Sequence, residues 1–138
     1  MTATPGPARP SQDLRADYDL SALGAAIVRS SKKPSARVAA QALADERTIL
    51  ALPPVQAALI VQERGKPVAV WERLMGRLYT LPLDSEQRAF LGLVLSMLSI
   101  GSTPLAAASD LSGERLRIIT QAVLRLADDD SIAIGTRI

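Results

Sequence analysis

Residues 103–132 read TPLAAASDLSGERLRIITQAVLRLADDDSI, and their reading decides the fold. Thr103 is a good helix cap and Pro104 suits a first helical position. A short helix follows, then a tight turn at Asp110 and Leu111. Ser112 caps a longer helix that runs to about Asp128. Ile132 and Ile134 then alternate as in the start of a strand. No other segment of the chain points to a function.

Within the longer helix, Leu116, Ile119, Val123 and Ala127 recur at helical spacing and are expected to face inward, with Thr120 and Leu126 beside them. The opposite face carries Glu114, Ile118, Gln121 and Arg125, flanked by Arg115 and Arg117. Leu105, Ala106, Leu111 and Ser112 stand where bacterial winged helix-turn-helix regulators of the MarR and Lrp groups carry their Leu-Ala and Leu-Ser pairs. The chain resembles those regulators over residues 84–134. The resemblance implies that Ala106 is small because two helices touch there, that Leu111 plugs the core and that Ser112 caps the recognition helix. Asp110 and Asp130 replace the usual glycines, and Ser109 replaces an apolar residue. Asp tolerates the left-handed backbone that the turn would require. The chain ends at Ile138, so the expected wing is truncated.

The resemblance further implies that the helix of residues 112–128 enters a DNA major groove. Gln121 would pair with adenine, Arg115, Arg117 or Arg125 with guanine, and Glu114 with cytosine, while Ile118 would meet a thymine methyl. Lys32 and Lys33 would hold the phosphate backbone. An exposed Ile118 serves a protein contact equally well.

Bulk composition narrows the alternatives. The chain has 138 residues, 48% of them hydrophobic, which is enough for one domain with a real core. Ala and Leu dominate and aromatics are few, so the expected class is all-α, with about seven helices and a C-terminal winged-helix-like tri-helical unit. There is no Cys and no His. Disulfides and Cys-based zinc sites are therefore excluded, and so are the commonest general base and the commonest metal ligand. No phosphate-binding glycine loop, nucleophile elbow or metal-ligand spacing appears. The expectation is a non-enzyme without cofactor or metal. Asp128, Asp129 and Asp130 are read either as a solvated helix end or as a metal site. Residues 84–138 hold five basic and seven acidic side chains, against eleven and seven in residues 1–83. The helix-turn-helix-like half is thus the acidic one, which counts against DNA because phosphate neutralisation supplies much of DNA affinity.

Outward from that segment, residues 1–13 are expected to form a disordered tail and residues 14–138 one helical domain, split into N-terminal helices (14–83) and the helix-turn-helix-like unit (84–138). A first helix is expected from Asp19 or Ser21 to about Arg29, burying Leu20, Leu23, Ala26 and Ile27. A second runs over 35–51, capped by Ser35. A third runs from Pro54 to Arg64 and stops at Gly65, with a strand over 57–61 as its rival. A fourth opens at Pro67 and ends near Tyr79. Leu81, Pro82 and Leu83 form a packed connector. Asp84 and Gln87 frame a capping box for a fifth, central helix that ends at Gly101. Arg64, Lys66, Arg73 and Arg77, with Lys32 and Lys33, are read either as a phosphate-contacting surface or as a solvated face.

No segment has signal-peptide or membrane-spanning length, so a cytoplasmic protein without a membrane role is expected. Two functions stay open. One is a small DNA-binding transcriptional regulator acting on duplex DNA as a homodimer, its N-terminal helices serving dimerisation. The other is a protein-interaction adaptor or inhibitor built on the same scaffold without DNA binding.

Overall fold

The computed structural model describes the backbone of residues 8–128 and the side chains of residues 19–128. The architecture is mostly helical with one small antiparallel hairpin. In chain order the elements are α1 (Ala8–Ser30), α2 (Pro34–Glu46), α3 (Pro53–Leu59), β1 (Ile60–Glu63), β2 (Lys66–Ala69), α4 (Trp71–Gly76), α5 (Ser85–Ser96), a 3₁₀ helix (Leu105–Asp110) and α6 (Gly113–Leu126). Among the described residues no helix is long and apolar enough to cross a membrane.

The first helix begins at Ala8, well before the expected start near Asp19, so residues 8–13 of the expected tail are helical. Pro10 falls in the opening turn, where its missing N–H costs nothing. Residues 1–7 lie outside the described residues. Ile27 is fully buried, and Leu20 and Leu23 pack against the core as their spacing predicts. Gly24 lets α1 settle on α2, since a Cβ there would stand 2.9 Å from Cβ of Ala44.

Pro34 opens α2, and the cap position is Lys33 rather than Ser35. The helix ends at Glu46 instead of reaching residue 51. Its own side chain explains the stop. The Glu46 carboxylate accepts the N–H of Ile49 at 2.8 Å and the hydroxyl of Thr48. Those bonds replace helical ones, and Arg47 turns into the left-handed region with φ 70°. Ile49 and Leu50 stay fully buried after the turn.

The expected third helix is half helix and half strand. Pro53 and Pro54 open α3, which lasts seven residues. The β-branched Ile60 and Val61 then pair with Ala69 and Val68 in the hairpin. Arg64 and Gly65, with φ of 55° and 78°, form the two-residue link, whose paired positive φ values suit the strand twist. Gly65 is thus a hairpin turn and not a helix stop. Pro67 lies in β2 opposite Gln62, so the fourth helix starts at Trp71 rather than at Pro67. The all-α expectation is corrected by this hairpin, which packs on α1.

The start and the buried run of the central helix match their reading. The Asp84 carboxylate accepts the N–H of Gln87 at 2.7 Å, and the Gln87 side chain accepts the N–H of Asp84 at 2.9 Å. Every residue from Ala89 to Leu95 is buried. Leu81 and Leu83 are buried in the connector, which Arg88 fastens through the carbonyls of Leu78 and Leu81. α5 stops at Ser96, before Gly101. There the Ser96 hydroxyl donates to the Gly92 carbonyl and accepts the N–H of Thr103. Ser99, at φ 62°, completes the reversal.

Candidate functional site

The segment that carries the sequence reading keeps its order of elements but packs differently. The short helix is a 3₁₀ helix against α5, its cap position is Pro104, and Thr103 is used elsewhere. Its side chain lies over Gly92, in the space a Cβ would need. Leu105 is 79% exposed and Ala106 is also exposed, while Ala107, Ala108 and Leu111 pack against the core. Asp110 keeps a negative φ, so the turn uses no left-handed residue there. Ser112 holds the cap position without a side-chain cap bond; its N–H donates to Oε2 of Glu86 at 2.7 Å.

The long helix α6 is rotated about its axis relative to the expectation, by about a quarter-turn, or one residue. It buries Ile118, Ile119 and Ala122, and leaves Leu116, Val123 and Leu126 between 41% and 47% exposed. Two features account for this register. α6 packs on α2, whose buried residues include the small Ala39, Ala40 and Ala42. Arg115 is then drawn between two carboxylates. Its Nε meets Oε2 of Glu46 at 2.9 Å and its Nη1 meets Oε2 of Glu86 at 3.2 Å, while Nη2 donates to the Thr48 hydroxyl.

The residues expected to read bases are mostly engaged inside the chain. Ile118 is buried, which corrects its placement on an outer face. Arg115 is the core of the cluster just described. Burial works against its charge, but Glu46 and Glu86 outweigh burial and hold the guanidinium pKa above its ordinary value. Arg117 bonds Glu114 at 2.6 Å and Gln121 at 3.2 Å. Hydrogen bonding from Arg117 holds the Glu114 carboxyl below the usual range. Arg125 faces Asp45 at 3.4 Å. Lys32 and Lys33 are exposed at the opposite end of α2, about 18 Å along the axis from Asp45 and Glu46 at 1.5 Å per residue. The structure therefore does not bring them together with the α6 residues.

Arg73, read as part of a basic surface, instead caps α3. It donates to the carbonyls of Ala57, Ala58 and Ile60 at 2.8–3.0 Å. The acids that organise α6, namely Asp45, Glu46 and Glu86, escaped the sequence reading. Glu46 and Arg115 stand 69 positions apart, and no local periodicity announces a pair that distant. Asp129 and Asp130, and the strand expected at Ile132 and Ile134, lie outside the described residues. A groove of about 400 Å³ opens between α1 and α2 beside Asp45. That carboxylate already accepts from Gln41 at 2.8 Å and faces Arg125.

What remains outward on α6 is an apolar stripe. Leu116, Val123 and Leu126 are exposed, and Ala127 continues the line. The Thr120 hydroxyl donates to the Leu116 carbonyl at 2.8 Å. No protein-family model matches the chain, and searches of curated proteins and of solved structures find no match either.

Proposed function

We propose that this chain is a protein-binding module, an adaptor or inhibitor, whose contact surface is the outward stripe of α6. The carrying observation is the register of that helix. Its arginines face Glu46, Glu86, Glu114 and Asp45, while the large apolar side chains Leu116, Val123 and Leu126 stand exposed on the same helix. Contiguous exposed apolar surface rimmed by polar residues is characteristic of protein contacts. A base-reading helix needs the reverse, with free donors outward.

Two measurements test this reading. A photo-crosslinking residue at position 123 is expected to yield a protein adduct, absent when the probe sits at Glu63 on the hairpin and lost with Leu116→Asp. Titration against generic duplex DNA by anisotropy at low salt is expected to show no binding. Salt-steep DNA binding that disappears with Arg115→Ala and Arg125→Ala would overturn the proposal in favour of a DNA-binding regulator.

A further inference from the structure

The groove between α1 and α2 lies close to where the chain leaves α6, and we propose that its occupant is the segment that follows, residues 129–138 of the same chain. Arg125, in the last turn of α6, reaches Asp45 on the rim of the groove at 3.4 Å. Asp128, at φ 56°, then turns the backbone off the helix, as a left-handed residue past a helix end does. Asp128 follows Arg125 by three positions, about 5 Å along a helix axis. Ten extended residues span at most about 33–36 Å, so the whole groove is within their reach.

The dimensions of the groove suit that segment. Gly24 meets Ala44 across the two helices, which are joined by the short link of residues 31–33 and so run antiparallel. Leu20 and Ser21 therefore lie near the level of Arg47, at one end of the groove, and Val28 and Arg29 near that of Gln41, at the other. From Leu20 to Arg29 the helix rises about 14 Å, and extended chain from Ile132 to Thr136 rises about 13 Å. Side chains alternate along an extended chain. Ile132 and Ile134 then share one face, and Ala133, Gly135 and Arg137 take the other. Between its ends the groove is lined by Gly24, Ala25 and Ala44. Isoleucines set over such small residues interdigitate with them, and Arg137 stays in solvent. Charge agrees with this seat. Asp45 is already faced by Gln41 and Arg125. Arg47, two positions on, brings positive charge to the end where Asp129 and Asp130 arrive first.

The chain has no cysteine, so paired thiols test this seat in the full chain. Ala25→Cys combined with Ile134→Cys is expected to close a disulfide within one molecule under mild oxidation. Glu63→Cys on the hairpin combined with Ile134→Cys is expected not to. A single thiol at position 25, where the native alanine is exposed among the described residues, should label slowly. Ile134→Asp should speed that labelling by about tenfold, by opening the docked segment, and leave the circular dichroism spectrum unchanged. A disulfide formed only between molecules would overturn the proposal in favour of a second copy's segment. No disulfide, together with labelling at position 25 indifferent to Ile134→Asp, would overturn it and leave the groove to another occupant. A disulfide of Ile134→Cys with Val123→Cys in place of Ala25→Cys would overturn both this proposal and the protein-binding reading, because the segment would then cover the α6 stripe.

Discussion

Arg115 on α6 donates through Nε to Oε2 of Glu46 on the last turn of α2 at 2.9 Å, across 69 positions of sequence. The Glu46 side chain is only 4% exposed, and that of Arg115 is 17% exposed. This pair fixes how α6 is turned. With Arg115 inward, Ile118, Ile119 and Ala122 follow it to the core and the Leu116–Val123 line is left outside.

Arg115→Ala is expected to destabilise the fold by about 2–4 kcal/mol, because a nearly buried carboxylate loses its counter-charge. Equilibrium denaturation checks this. Arg115→Lys should recover part of the loss, since a point charge cannot serve Glu46, Glu86 and Thr48 together as a planar fork does.

Stability should fall in acid through Glu86. Hydrogen bonds from Ser112, side chain first and then N–H, lower its pKa below the ordinary 4.5, and Arg115 lowers it further. A carboxylate depressed in the folded state contributes stability that is present above its unfolded pKa and lost as pH falls through the folded value. Glu86→Gln is therefore expected to be less stable near neutrality and to lose less on acidification below 4.5. Thermal midpoints measured down the acid limb check the sign.

Gly92→Ala is expected to destabilise by about 1–3 kcal/mol through overpacking, although alanine is the better helix former by about 1 kcal/mol. A Cβ at Gly92 would collide with the side chain of Thr103. Thr103→Gly combined with Gly92→Ala should recover most of the loss, and denaturation of the four-member cycle measures it.

At the hairpin, Gly65 sits at φ 78° with open space around it. Gly65→Val should destabilise by about 1–2 kcal/mol on backbone grounds alone. Gly65→Asn should be nearly neutral, because Asn visits the left-handed region readily. Thermal denaturation of both variants separates backbone strain from crowding.

The sequence revealed those parts of the fold that rest on local chemistry. The Asp84–Gln87 capping box, the buried run from Ala89 to Leu95 and the packed Leu81–Leu83 connector all depend on residues close in the chain. The hairpin was hidden because Pro67 and Gly65 serve a strand and its turn as readily as they punctuate helices. The orientation of α6 was hidden for a different reason. Leu116, Ile119, Val123 and Ala127 form as good an apolar line as Ile118, Ile119 and Ala122, so periodicity alone cannot choose between them. The choice is made by acids on α2 and α5 and by the small residues of α2.

The most direct test of the account is therefore the facing of α6. The chain has no cysteine, so single thiols placed at Ile118 and at Val123 report their surroundings without background. Under native conditions Val123→Cys should label at the rate of an exposed thiol, and Ile118→Cys should label only as the protein unfolds. A protected thiol at 123 together with a freely reactive one at 118 would contradict the account.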